Sequence, residues 1–156
     1  MAEANPTDAI EFDRSVIGVD VEVGTHKIAK EDIIAYAEAV GETNPLYLDE
    51  KAAKAGPYGV IIAPPLFYNM LNLRAGLDPK VKFGTSGFDA GQHAEFVQPI
   101  RAGDTISANT QVADVYAKTG RTGTMVFTIR RTTYTNQKGE KTVVVDRISV
   151  RRDLRQ

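Results

Sequence analysis

The sequence predicts an α+β domain in which an antiparallel sheet curls around one apolar helix. Helical patterns are confined to the middle of the chain, and from Gly87 onward apolar and polar residues alternate as they do in strands. Among the helical segments, only 65–75 is strongly apolar. A sheet with one apolar face and a single apolar helix bury both surfaces most economically when the sheet wraps around the helix.

The first half of the chain predicts one strand and an amphipathic helix. Residues 16–24 carry valines at alternate positions and end on a glycine, which is typical of a strand. In the segment 30–40 the apolar residues recur at spacings of three and four, two acidic residues lie in the first turn, and Gly41 follows the last turn. We therefore expect a helix over 30–40.

Two further helices and four strands complete the prediction. A short helix over 49–55 is stopped by a Gly-Pro pair, and the apolar helix 65–75 carries the stripe Leu66, Phe67, Met70, Leu71 and Leu73. The predicted strands cover 87–96, 104–117, 122–135 and 141–152. This order of elements is that of the hot-dog fold. We expect one domain over 15–156, preceded by a weakly structured lead-in, 1–14, with one helical turn near 9–14.

Composition excludes several classes of function. The chain has 156 residues, a net charge of -1 and a pI of about 6.1, so no positive field favours nucleic acid or anionic lipid. It contains no cysteine and only two histidines, which argues against disulfides and most transition-metal sites. No apolar run approaches the roughly 20 residues that span a bilayer, and no targeting segment is evident at the N-terminus. We expect a cytoplasmic protein without metal or membrane partner.

Polar residues cluster around a predicted turn at Asn44-Pro45. The residue before a proline is disfavoured in a helix, and asparagine tolerates tight turns. The turn lies in Gly-Glu-Thr-Asn-Pro-Leu-Tyr-Leu-Asp-Glu (41–50). A second stretch, Ala-Pro-Pro-Leu-Phe (63–67), places two prolines where the apolar helix begins. The start of that helix would point backbone N–H groups toward the same region.

These two stretches, together with Pro-Ile-Arg-Ala-Gly-Asp-Thr (99–105), resemble the MaoC-like hot-dog dehydratases and hydratases. The resemblance covers about residues 15 to 152. It is strongest to the branch formed by the N-terminal halves of two-domain dehydratases and the partner subunits of mycobacterial hydroxyacyl-ACP dehydratase. The resemblance implies reversible addition of water to a trans-2-enoyl thioester of CoA or acyl carrier protein. The product would be the (R)-3-hydroxyacyl form, and the hydro-lyase would need no cofactor.

In the active members of the family, an Asp and a His five residues apart activate water, and a Gly N–H at the start of the central helix stabilises the oxyanion. The resemblance places these roles on Glu42, Tyr47 and Pro65. Glu42 is one methylene longer than Asp, and such sites lose rate steeply when a group is displaced by about 1 Å. An ordinary tyrosine has a pKa near 10 and is a poor base at neutral pH, and proline has no N–H. We therefore predict a degenerate catalytic dyad at Glu42 and Tyr47.

Other residues have a functional and a structural interpretation. Asn44 can contact substrate or serve only its turn, and Tyr47 can be a half-buried aromatic beside that turn. His93, in a predicted strand, can bind substrate but is more often structural in such a position. Pro65 sets the helix start under either interpretation. The candidate acyl-binding side chains are Phe67, Tyr68, Met70 and Leu71, which can equally be core.

Two hypotheses remain open. In the first, the chain is one subunit of a heteromeric hydratase. It supplies half of the acyl tunnel, and a hot-dog partner subunit carries the catalytic Asp and His. In the second, it is a homodimeric acyl-thioester binding protein or a hot-dog enzyme of altered chemistry. That enzyme would be a thioesterase, or a hydratase that uses Glu42 with Tyr47 or His93. Both hypotheses predict a dimer, because a curled sheet leaves an unpaired edge.

Overall fold

A single five-stranded antiparallel sheet dominates the computed structural model, which describes residues 5–153. The spatial order is β1-β3-β4-β5-β2, so β1 and β2 are the two edges. The strands are β1 (Val21–Lys27), β2 (Ser86–Phe96), β3 (Thr105–Gly120), β4 (Gly123–Thr135) and β5 (Lys141–Arg152). The predicted hot-dog architecture is confirmed.

Two short 3₁₀ helices precede β1, and the other helices connect β1 to β2. The α-helices are α1 (Lys30–Ala39), α2 (Pro45–Leu48) and α3 (Glu50–Ala55), and the 3₁₀ helices are Pro6–Ala9, Arg14–Val16 and Pro65–Leu71, the last of which we name the central helix. Within residues 5–153, none of these helices has the length and apolar character needed to cross a bilayer.

The central helix is shorter than predicted. It is a 3₁₀ helix that ends at Leu71, not an α-helix over 65–75, because Asn72 adopts a left-handed conformation with φ 52°. In a 3₁₀ helix, residues three apart lie on the same side. Tyr68 and Leu71 therefore point into the core, whereas Met70 is 62% exposed, which corrects the predicted apolar stripe.

The first strand also differs from the prediction over 16–24. Gly18 has φ +73°, which interrupts an extended run, and residues 14–16 form a 3₁₀ turn capped by Asp13. β1 begins later, at Val21, and continues past Gly24, where the pairing with β3 shifts register. Here glycine marks a bulge rather than the end of a strand.

The core lies between the central helix, α1 and the inner face of the sheet. Phe67 and Tyr68 are buried against it, and the Tyr68 ring lies 5.5 Å from that of Tyr134 on β4, measured between centroids. The buried partners from the remaining elements include Ile33, Ile106, Ala108, Val143 and Val145. The sheet therefore wraps the central helix, as the pattern of the sequence predicts.

The lead-in packs more firmly than the composition predicts. Residues 1–4 of it lie outside the described residues, but Ile10 is buried against Val81, Val112 and other residues at the far end of the sheet. The N–H of Lys82 donates to the carbonyl of Glu11 at 2.9 Å. The predicted turn near 9–14 is replaced by the two 3₁₀ turns at 6–9 and 14–16.

Candidate functional site

Three stretches that are distant in sequence meet at the start of the central helix. The N–H of Ile62 donates to the carbonyl of Leu46 at 3.2 Å, and the N–H of Ala63 donates to the carbonyl of Ile100 at 2.8 Å. The N–H of Ala102 donates back to the carbonyl of Ile61 at 2.9 Å. Backbone hydrogen bonds thus join the turn after α1, the double proline and the loop before β3 into one region.

The Asn-Pro turn is the N-terminus of α2. The Asn44 side-chain oxygen accepts from the N–H of Leu46 at 3.0 Å, and Pro45 occupies the first turn, where its missing N–H costs nothing. The exposed Asn44 therefore has a structural task, and the predicted turn is a short helix. Tyr47 lies within this same four-residue helix.

Glu42 faces a cavity of about 350 Å³ beside the start of the central helix. Gly41, with φ +75°, ends α1, and the N–H of Glu42 then donates to the carbonyl of Ala37 at 2.9 Å. This anchors the backbone of Glu42. The cavity is lined by Tyr36, Val40, Glu42, Pro64, Pro65 and Leu66.

Tyr47 lines a different cavity. That cavity has a volume of about 230 Å³ and is mainly apolar, with Ile62, Phe96 and Ile100 among its walls. Pro64 and Pro65 line both this cavity and that of Glu42, so the two proline rings form a shared wall. The structure therefore does not bring Glu42 and Tyr47 together in one cavity.

Tyr36 is a site residue that sequence reasoning missed. Its spacing along α1 assigned it to the apolar stripe, but Tyr36 also lines the Glu42 cavity. Burial raises the pKa of Tyr36, and the negative charge of Glu42 raises it further. The Tyr36 ring is held edge-on against Phe67, with centroids 5.5 Å apart. A tyrosine in an otherwise aliphatic stripe was the available signal, because its hydroxyl needs a polar partner or water.

A larger apolar groove continues from Tyr36 and Val40 along the cleft between α1 and the central helix. Its volume is about 580 Å³, and Phe67, Met70 and Leu71 line it. His26 and Asp32 are polar residues among its lining. Three of the four predicted acyl-binding residues therefore share one groove.

The other two candidate residues lie elsewhere. Tyr68 is fully buried in the core against Tyr134. His93 lies on the outer face of β2, in a polar groove of about 630 Å³ that also contains Arg131 and Asp146. The Arg131 side chain forms two hydrogen bonds of 2.7 Å to the Asp146 carboxylate, which hold the pKa of Asp146 below its usual range. His93 is therefore separated by the sheet from the central helix.

The chemistry available at the helix start is limited. It offers one carboxylate, from Glu42, and the hydroxyls of Tyr36 and Tyr47 on either side of the prolines. Since Pro64 and Pro65 have no N–H, the first backbone donor of the central helix is the N–H of Leu66. These groups can bind and orient a polar head group next to an apolar groove.

A hot-dog sheet around a short helix, with two small cavities at the start of that helix and an apolar groove beside it, is consistent with the dehydratase and hydratase class. Comparison with family models assigns the chain within this class. It belongs to the family described as FAS1-like, dehydratase domain region, whose model matches residues 15–146.

Relatives are found in several bacteria. The chain is 34% identical over 116 residues to a UPF0336 protein of Saccharopolyspora erythraea, with 70% of this chain and 74% of that protein covered. It is 32% identical over 101 residues to a 3-hydroxybutyryl-CoA dehydratase of Methylorubrum extorquens, with 62% of this chain and 63% of that protein covered.

Solved structures share the fold at low identity. The unliganded R-hydratase PhaJ1 of Pseudomonas aeruginosa superimposes with a TM-score of 0.66 at 23% identity, covering 88% of this chain and 83% of that chain. A chain of the C-terminally truncated HadBC (3R-hydroxyacyl-ACP dehydratase) complex of Mycobacterium tuberculosis gives a TM-score of 0.67 at 21% identity. The match covers 88% of this chain and 98% of that chain.

Proposed function

We propose that this chain is the acyl-binding subunit of an (R)-specific enoyl-thioester hydratase, or 3-hydroxyacyl-thioester dehydratase, whose catalytic Asp and His belong to a hot-dog partner. The observation that carries the proposal is the separation of Glu42 from Tyr47 by the Pro64–Pro65 wall. A base and the group that orients it must act on the same water molecule. Two groups in different cavities do not meet that requirement.

The proline at position 65 supports the same proposal. Hydration of an enoyl thioester develops negative charge on the thioester oxygen, and backbone N–H groups at a helix start are well placed to stabilise it. Pro65 provides no such donor, and the next N–H belongs to Leu66. Loss of an oxyanion donor typically costs about a hundredfold or more in rate. The chain is therefore proposed to bind substrate without catalysing its hydration.

The apolar groove supports an acyl ligand. Its volume of about 580 Å³ lies within the range of small-molecule sites, roughly 300–1,000 Å³. It is lined mainly by apolar side chains, and it adjoins the cavity that contains Glu42 through Tyr36 and Val40. An enoyl thioester has the same order of parts, an apolar chain followed by a polar thioester. The thioester would be carried by CoA or by acyl carrier protein.

The exposed edge of the sheet supports a partner. Among residues 5–153, β2 pairs only with β5, and the outward side of this eleven-residue strand has no strand partner. Two of the structural neighbours come from complexes of Mycobacterium tuberculosis. These are HadBC and ChsH1-ChsH2, and the name of each complex combines two different subunits. A second hot-dog chain joined at β2 would continue the sheet and cover that edge.

The test combines an activity assay with a binding assay on the purified chain. We expect no turnover of crotonyl-CoA or of longer trans-2-enoyl-CoA thioesters, but measurable binding of the longer ones. Met70→Lys, which places a charge in the groove, should weaken that binding at least tenfold. Val19→Lys is the matched control, because Val19 is an exposed apolar residue that does not line the groove.

Co-purification from the native host completes the experiment. A second hot-dog chain that restores hydration supports the proposal. Turnover at an ordinary enzymatic rate by the chain alone would contradict the degenerate dyad. Binding of thioester by a homodimer with no co-purifying partner would contradict the heteromeric part and favour a homodimeric acyl-thioester binding protein.

A further inference from the structure

Two arginines lie directly opposite each other on the inner face of the sheet. Arg130 of β4 pairs with Arg147 of β5, two positions beyond the buried pair of Thr132 and Val145. Because side chains alternate along a strand, both arginines point to the same face as that buried pair. Like charges directly opposite each other in a sheet are destabilising.

Asn69 of the central helix brings a third guanidinium to this place. The Nη2 atom of Arg147 donates to the Asn69 side-chain oxygen at 2.8 Å. The Nη2 atom of Arg74 lies 3.3 Å from the same oxygen and 2.8 Å from the Asn69 carbonyl. Arg74, Arg130 and Arg147, which we name the inner arginine cluster, therefore gather at one end of the core.

The inner arginine cluster contains no carboxylate partner. Within residues 5–153, none of its members makes an ion pair. On the same face, Asp89 pairs with Ser149 on β5, and its carboxylate accepts from the N–H of Gly91 at 2.8 Å. Arg131, on the outer face of the same strand, has its carboxylate in Asp146. Arg131 on the outer face thus has a counter-charge, whereas its neighbour Arg130 on the inner face has none among the described residues.

Two nitrogen atoms of the cluster are buried without a hydrogen-bond partner. They are Nη1 of Arg130 and Nε of Arg147. Buried polar atoms are normally paired with a hydrogen-bond partner. A bound anion would accept from the arginine nitrogens and compensate the positive charge.

The cluster has a covered side and an open side. The backbone at Gly76 lies over Arg130 so closely that a Cβ atom there would be 2.6 Å from Nη1. Arg130 and Arg147 are half-buried, whereas Arg74 is exposed and reaches the cluster from solvent. A small anion could therefore enter from the side of Arg74 and meet partly desolvated guanidinium groups, where charge-assisted hydrogen bonds are strong.

We propose that Arg74, Arg130 and Arg147 form an anion-binding site that takes a carboxylate or phosphate group of a ligand. Guanidinium groups bind both kinds of anion through paired N–H donors, so the two share one recognition chemistry. A phosphate would come from a phosphorylated ligand, and a carboxylate from a dicarboxylic compound. The site goes beyond the proposed function and does not depend on it.

Titration calorimetry with inorganic phosphate and with glutarate, at constant ionic strength in chloride, tests the site. We expect one-to-one binding of at least one of these probes, and a melting temperature that rises with its concentration. Tighter binding of phosphate would assign a phosphate ligand, and tighter binding of glutarate a carboxylate ligand. Arg147→Gln and Arg130→Gln should each weaken binding by roughly tenfold or more, as expected for loss of a charge-assisted hydrogen bond.

Arg121→Gln is the matched control, because it removes the same charge from the exposed turn between β3 and β4. It should leave binding unchanged. Circular dichroism and the melting temperature of each variant establish that it is folded. The proposal is overturned if neither probe binds the folded wild-type chain, or if Arg121→Gln weakens binding as much as Arg147→Gln does. Because no enoyl thioester is used, failure here leaves the proposed hydratase function untouched.

Discussion

At the scale of single residues, position 65 combines two effects. Its proline ring begins the central helix and forms part of the wall between the Glu42 and Tyr47 cavities. The same ring removes the N–H that the resemblance places there. A glycine at this position would both supply a donor and open the wall, so the effects of the three substituted roles should be strongly coupled.

We predict that the triple variant Glu42→Asp, Tyr47→His, Pro65→Gly gains measurable hydration of an enoyl thioester. The double variant Glu42→Asp, Tyr47→His should remain inactive, because the proline wall still divides the two groups and no oxyanion donor is present. A coupled spectrophotometric assay measures both. Pro65→Gly loosens the start of the helix by about 1 kcal/mol, so urea denaturation must accompany the assay.

An inactive triple variant that is folded and binds thioester would refute the assignment of these roles to Glu42, Tyr47 and Pro65. Activity in the double variant would refute the role of the proline wall. The two results are independent, since the first tests which residues hold the catalytic roles and the second tests whether the proline wall keeps Glu42 and Tyr47 apart.

At the scale of elements, the approach to β2 is fixed by contact between backbones. Gly84, which precedes β2, has φ +75°, and a Cβ atom there would lie 2.7 Å from the carbonyl carbon and oxygen of Arg152 in β5. The N–H of Thr85 donates to the carbonyl of the same arginine at 3.1 Å. Such a close approach excludes any side chain, and backbone atoms in a strand cannot move aside easily.

We predict that Gly84→Ala destabilises the protein far more than Gly139→Ala. Gly139 lies in the β4–β5 turn with nearly the same φ, +76°, but a Cβ atom there would meet nothing within 4 Å. Both variants carry the left-handed cost of about 1–2 kcal/mol, and only Gly84→Ala adds an overpacking cost of about 1–3 kcal/mol. Urea denaturation measures the difference. Equal losses in the free energy of unfolding would contradict the close approach.

At the scale of the whole molecule, the central helix covers the core part of the sheet, whereas the edge at β2 is open. Phe88, Phe96 and Val97 remain exposed on and next to this strand, and β2 has a neighbour on one side only. Exposed strand edges with apolar side chains favour association. The proposed partner subunit and a homodimer would use the same edge.

We predict that the purified chain sediments as a dimer at micromolar concentration and that Phe88→Glu converts it to a monomer. The charge would repel across an edge-to-edge contact and would lose apolar burial there. Val19→Glu is the control, because Val19 is 42% exposed and Phe88 is 44% exposed, but Val19 precedes β1 at the other side of the sheet. A wild-type monomer would contradict a homodimer. Dissociation by both variants would exclude β2 as the specific edge.

The sequence alone determined the order of elements and the hot-dog architecture. Alternating runs such as Met125, Phe127 and Ile129 are set by the two-residue period of a strand, and the end of α1 by Gly41, so both are local properties of the chain. The resemblance of the 41–50, 63–67 and 99–105 stretches likewise identified the family. The 3₁₀ geometry of the central helix was not predicted, because the choice between related helices depends on packing against the sheet.

Only the tertiary structure decided which candidate residues share a cavity. Glu42 and Tyr47 have the family's spacing, but the Pro64–Pro65 wall comes from another part of the chain and divides them. Tyr36, an apparent core residue, shares the Glu42 cavity, and His93 is directed to the outer face by the register of β2 against β5. Local patterns determine which elements form, whereas the long-range hydrogen bonds and strand register that assemble a site arise only when those elements pack together.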